Sequence, residues 1–169
     1  MGRKSTKANK SIYQKLREEL GWSREEAEFQ LEFISADKIA KIESGKTQAQ
    51  PADVVQMSEK YGQPALCNYY CKNECEIGKK YVPEVNINTN LSQIVLEILN
   101  SLNSLKKGKE RLIEISIDGH IDDDEIPDFI TIQRELNNIS VTVQTLQLWA
   151  EKKISEGKIN RELYDKLNK

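Results

Sequence analysis

Histidine, cysteine and proline are scarce in this chain of 169 residues, which holds one, three and four of them. A single histidine, His120, leaves little for acid/base work near neutral pH and rules out a histidine-rich metal cluster. Three cysteines cannot build the disulfide framework of a small secreted domain. The four prolines and eight glycines fall between stretches of helical periodicity, and no sustained alternation of period two argues for a strand. Long apolar runs are also missing, with Ile94-Val95-Leu96 typical of the longest, so no membrane-spanning segment is expected. The amino terminus opens with Arg3, Lys4, Lys7 and Lys10 rather than an apolar signal core, and a cytoplasmic protein is the expectation. There is no glycine-rich phosphate loop and no zincin motif, so neither an enzyme nor a bound cofactor is expected.

What is present is charge. Charged residues make up 31% of the chain against 38% hydrophobic, with mean hydropathy −0.63, the composition of exposed helical surface around a modest core. At 19.4 kDa that is one ordinary domain or two small ones. Residues 1–81 hold 14 Lys/Arg against 12 Asp/Glu, whereas residues 82–169 hold 11 against 15. Residues 1–10 read as a flexible basic tail, fit either to follow a phosphate backbone or simply to aid solubility. The Asn-rich stretch after Val82-Pro83 marks a linker over 82–90, which separates a first domain at 11–81 from a second at 91–169.

In the first domain the apolar spacing of Ile12, Tyr13, Leu16 and Leu20 predicts a helix closed by Gly21. Ser23 followed by Glu26 is a capping box that opens a second helix, through about Leu31. Ser35 caps a third, over 36–43, with Ile39 and Ile42 turned inward and Ser44-Gly45 at its end. This arrangement, Trp22-Ser23-Arg24-Glu25-Glu26-Ala27, then Ile34-Ser35, Ile39, Ile42-Glu43 and Gly45-Lys46, resembles the helix-turn-helix of the Cro/lambda-repressor (XRE) class over roughly residues 10–66. The resemblance implies five helices, the last two supplied by 51–57 and 64–66, with the third entering the major groove of double-stranded DNA. It places base or phosphate contacts at Arg24, Ser35, Ala36, Asp37, Lys38, Lys41, Lys46 and Gln48. The usual Leu-Gly-Val-Ser turn is replaced by Leu31-Glu32-Phe33-Ile34-Ser35, one residue longer and without glycine. Glu28, Glu32, Asp37 and Glu43 dilute the positive field on these elements.

Cys67, Cys71 and Cys75 would share a stripe if residues 66–76 form one helix; the reading is small apolar packers rather than metal ligands. In the second domain Leu91, Ile94, Val95, Ile98, Leu99, Leu102 and Leu105 describe an amphipathic helix, with Leu112, Ile113 and Ile115 continuing beyond Gly108. After a turn at Asp118-Gly119 comes a heptad seam, Phe129, Ile132, Leu136, Ile139, Val143, Leu146 and Ala150. The turn partly mimics a calcium loop, but its first half lacks the ligands, and Asp122 with Glu125 reads as a helix cap. The expected architecture is all-α: a repressor-like domain followed by an antiparallel helical hairpin, through which two copies pair. Its order is similar to small phage and Firmicute regulators. The expected function is a sequence-specific transcription regulator; the alternative is a protein-interaction module that works through the hairpin, with the helix-turn-helix as scaffold.

Overall fold

The computed structural model describes residues 9–85, 90–117 and 119–168. Most of the basic tail, the Asn-rich stretch 86–89 and Asp118 of the expected turn lie outside them. Among the described residues there are nine α-helices and no strand, so the chain is all-α. It divides into two compact units, one made of residues 1–84 with 151–169 and the other of residues 85–150. The linker at 82–90 alone places 151–169 with the second domain. In the structure Ile154 is buried and the Ser155 hydroxyl faces the Gly62 carbonyl at 3.4 Å, within the first unit.

The first unit contains α1 (Ile12–Glu19), α2 (Arg24–Leu31), α3 (Ala36–Glu43), α4 (Pro51–Lys60), α5 (Ala65–Asn73) and α6 (Glu76–Tyr81). Serine side chains start the first three. Ser11 Oγ accepts from Gln14 N at 3.2 Å, Ser35 Oγ accepts from Lys38 N at 3.3 Å, and Ser23 exchanges both bonds of a capping box with Glu26. Gly21 and Gly45 end α1 and α3 at φ of 74° and 72°, where a side chain would be strained, and the next residue's N–H reaches back to satisfy an orphan carbonyl. Tyr13, Ala27, Leu31, Ile34, Ile39, Ile42, Val54, Met57, Tyr61 and Leu66 form one core. Each large aliphatic side chain so buried contributes about 2 kcal/mol.

The cysteine stripe is corrected by the structure. The helix breaks after Asn73, and Cys75 caps α6, accepting from Gly78 N at 3.5 Å, so the three thiols do not share one face. Gly78 makes this fold-back possible: a Cβ there would lie 2.0 Å from the Cys71 carbonyl oxygen. All three cysteines are half-buried and unpaired in disulfides, and no group of His, Cys, Asp and Glu among the described residues is arranged to hold a metal.

The second unit is built on α7 (Leu91–Ile115) and most of α8 (Ile126–Ser155), with α9 (Arg161–Leu167) following in the first unit. The helix α7 runs unbroken through Gly108, whose missing side chain admits Ile132; a Cβ there would stand 3.2 Å from Ile132 Cγ1. Arg111 ties the same level, donating to Asp128 at 2.7 Å and to Glu114 at 3.1 Å. Asp122 N donates to Glu125 Oε2 at 3.2 Å, and Pro127 sits in the first turn of α8, where its missing N–H costs nothing. The heptad seam is covered along one flank only: Ile132 is buried, whereas Leu136 and Val143 stay 44% and 43% exposed.

Two core tyrosines give the fold a pH signature. Burial, helped by the Glu74 carboxylate, pushes the Tyr13 hydroxyl well above its ordinary 10.0; burial, then the charge of Glu43, does the same to Tyr61, with Arg17 opposing. Their neutral forms are favoured in the folded state, so this stability is present below pH 10 and is lost as pH rises through the raised values. The Tyr61 hydroxyl has no hydrogen-bond partner among the described residues. Tyr61→Phe is therefore expected to leave the melting temperature at pH 7 unchanged or higher, by up to about 1 kcal/mol of stability, and to shallow its fall above pH 10. Differential scanning fluorimetry from pH 7 to 11 checks both.

Candidate nucleic-acid interface

The outer face of α3 is defined by what holds its inner face. Ile39 and Ile42 are 0% and 3% exposed, which turns Asp37 and Lys41 outward. The last residue of α3, Glu43, is buried with its side chain 1% exposed. Its carboxylate accepts from Arg17 Nε at 2.5 Å and Nη2 at 3.0 Å, a bidentate fork, and from Arg24 Nε at 2.9 Å. A third donor of Arg17, Nη1, reaches the Trp22 carbonyl at 2.5 Å. One carboxylate thus joins α1, the α1–α2 turn, the start of α2 and the end of α3. Burial alone would pull the Arg17 guanidinium down; the hydrogen bonds and charge of Glu43 outweigh it and leave it raised. Trp22 packs edge-on against Tyr61 at 5.8 Å, which fixes the turn from below.

Each residue singled out in the sequence has a definite place. Arg24 begins α2 and is 42% exposed while bound to Glu43. Ser35 caps α3 and Ala36 is its half-buried first residue. Asp37, 76% exposed, pairs with Lys41, 52% exposed, at 2.6 Å. Lys38 donates to Asp53 Oδ1 at 2.6 Å, while the other oxygen of Asp53 accepts from Gln50 N and starts α4. Lys46 and Gln48 are exposed in the loop that follows, and the Lys46 amide bonds the Lys41 carbonyl at 2.9 Å. Asp37, Lys41, Lys46 and Gln48 thus lie on and just after the uncovered side of α3. Lys38 serves the α3–α4 joint, and Arg24 serves the α2–α3 joint with part of its surface free.

Sequence reasoning missed Arg17 and Asp53 and counted Glu43 among the acids that dilute the positive field of these elements. The structure corrects the last point: Glu43 lies inside, neutralised by two guanidinium groups. A signal was available for Arg17, which is four residues from Tyr13 on the apolar stripe of α1, and a buried guanidinium requires a buried carboxylate.

The altered turn has its own geometry. Glu32 adopts φ 60°, ψ −44°, the only positive φ at a non-glycine among the described residues, and Phe33 N donates to the Leu31 carbonyl at 2.6 Å. That is a strained γ-turn around Glu32, held in place by the burial of Leu31 and Ile34 on either side. It absorbs the extra residue, so α3 still starts at a proper Ser35 cap. The side effect is that Phe33 points to solvent at 84% exposure, as does Phe29 at 81%.

With this geometry in hand, comparison with known families finds a match: residues 14–66 fit a family model described as a helix-turn-helix domain. The matched stretch runs from α1 to the start of α5. This part of the first unit is thus similar to a helix-turn-helix domain. No curated protein and no solved structure matches the chain. Among the described residues no helix is long and apolar enough to cross a membrane.

Two outcomes follow from the buried charges and the turn. Glu43→Ala strands Arg17 and is expected to cost about 3–5 kcal/mol in urea unfolding, whereas Arg17→Met combined with Glu43→Leu loses less than Glu43→Ala alone. Glu32→Gly relieves the positive φ and is expected to stabilise by about 1 kcal/mol, raising the melting temperature by a few degrees.

Proposed function

We propose that the protein is a sequence-specific DNA-binding transcription regulator of the Cro/lambda-repressor type, reading the major groove with α3. The observation that carries this reading is the uncovered outer face of α3 within a matched helix-turn-helix domain, with Lys41 and Lys46 beside one another and Gln48 following. Lys41 exchanges Asp37 for a phosphate at little cost, because exposed ion pairs of this kind contribute under about 1 kcal/mol. Lys46, which no described residue pairs, and the free part of Arg24 add backbone contacts. Asp37, released by Lys41, accepts from a cytosine amine, and Gln48 offers both donor and acceptor to bases or phosphates. Two copies joined through the hairpin present two such helices to two half-sites. The protein acts in the cytoplasm, in the manner of small phage and Firmicute regulators, and carries out no catalysis of its own.

The full-length chain, offered a randomised duplex pool, is expected to select a sequence and to bind it with affinity that falls as salt rises. Lys41→Glu and Lys46→Glu should each weaken binding by about tenfold and lower the salt slope by about one. Lys38→Glu is a poor probe, since it sets a carboxylate against Asp53 and disturbs the α3–α4 joint. Selection of nothing from the pool, or affinity indifferent to both substitutions, contradicts the reading.

A further inference from the structure

The break after Asn73 does more than take Cys75 off the stripe of α5. Cys67 and Cys71 stand one turn apart on an unbroken helix, where side chains four apart keep their Cβ atoms about 5–6 Å from each other. A disulfide needs about 3.5–4.5 Å between Cβ atoms, so these two thiols cannot join while α5 stays wound. Cys75 is placed differently. Its backbone N–H donates to the Tyr70 carbonyl at 3.0 Å, reaching one residue further back than a helical bond as the chain turns out of α5. The peptide that bears this carbonyl leads directly into Cys71. The Cα atoms of Cys71 and Cys75 are therefore at most about 7 Å apart, and the bend at each linking atom brings them inside the roughly 4.4–6.8 Å that a disulfide spans. Gly78 sets the direction of the Cys75 side chain. Its N–H donates to Cys75 Sγ at 3.5 Å, while its α-carbon lies against the Cys71 carbonyl so closely that a Cβ would come within 2.0 Å of the oxygen. The Cys75 sulfur is thus drawn to the level of Cys71, on the side where α6 folds onto α5.

We propose that Cys71 and Cys75 are a redox-reactive thiol pair, closed to a disulfide by hydrogen peroxide, and that Cys67 stands outside it. Both residues are half-buried, open to a molecule as small as a peroxide. The order of events follows from their surroundings. Burial, then the charges of Cys75 and Cys67, push the Cys71 thiol up, which makes Cys71 the slower nucleophile. Cys75 reacts first: its sulfur takes one peroxide oxygen, the O–O bond breaks, and the other oxygen leaves as water, giving a sulfenic acid on Cys75. The Cys71 sulfur then attacks the Cys75 sulfur, the S–O bond breaks, and the hydroxyl leaves with the Cys71 proton as a second water. Two thiols have given up two electrons and two protons, and one peroxide has become two waters. The bond staples the α5–α6 elbow beside Cys67 and Tyr70, which pack on the core of the first unit. Exchange with a small dithiol reopens it, so in a reducing compartment the pair reports oxidant rather than bracing the fold permanently. None of this depends on what α3 binds.

Treatment of the reduced full-length chain with hydrogen peroxide, followed by blocking of free thiols with N-ethylmaleimide and peptide mass mapping, tests this. Trypsin cuts after Lys60, Lys72 and Lys79, which puts Cys67 and Cys71 in peptide 61–72 and Cys75 in peptide 73–79. The expected product is 61–72 joined to 73–79, with the blocking group on Cys67 and the join released by dithiothreitol. Cys67→Ser should keep the join. Cys71→Ser should stop at a sulfenic acid on Cys75, captured by dimedone, and Cys75→Ser should slow peroxide consumption by about tenfold. The joined peptides are read on the unaltered chain, so a variant that fails to fold, as seen by circular dichroism, does not remove the test. A bond within 61–72, a disulfide between two chains, or three thiols still free after peroxide would each overturn the proposal. So would loss of the join in a folded Cys67→Ser variant.

Discussion

The arrangement of the amino-terminal unit depends on a single buried carboxylate. Glu43 closes α3 inside the protein, where an isolated anion is costly, and the cost is met only because Arg17 of α1 forks it and Arg24 of α2 adds a third side-chain contact. Hydrophobic burial of Ile39, Ile42 and Leu31 holds the helices together but tolerates small rotations. A planar guanidinium against a carboxylate does not, so the ion pairs set the angle at which α3 leaves the core. Arg17 also binds the Trp22 carbonyl, and Trp22 leans on Tyr61, which extends the same constraint to α4. The direction in which Asp37 and Lys41 face is thus fixed by residues on the opposite side of their helix.

That constraint also takes several of the domain's acids out of play at the outer side of α3. Glu43 is neutralised internally, Asp53 is occupied by Lys38 and the start of α4, and Glu26 is consumed by a capping box. The positive groups that remain toward the outside of α3 are Lys41, Lys46 and part of Arg24. The γ-turn at Glu32 belongs to the same economy of geometry: one extra residue is taken up in a strained loop so that the cap of α3 is preserved, and two phenylalanines are left in solvent as a consequence.

Much of this was legible in the residues. The serine caps, the glycine stops and the inward isoleucines are local signals, and local signals placed α2 and α3 at the residues where they occur. Long-range partners were not legible, because nothing in the spacing of Arg17, Glu43, Lys38 and Asp53 says that they meet. The break after Asn73 was hidden for a related reason: cysteines four apart satisfy helical spacing, and only the close approach of Gly78 to Cys71 shows that the chain has turned. The heptad row of α8 was readable, but periodicity does not say which side of a row is covered, and Leu136 and Val143 are on the uncovered side.

The account turns on the outer side of α3 meeting a duplex. Backbone amide chemical shifts of the full-length protein, followed as a duplex selected from a random pool is added, test this most directly. The account predicts the largest changes at residues 35–41 and 46–48, with the buried ends of α3 and α4 little moved. Changes confined to α7 and α8, with those residues unaffected, would contradict it.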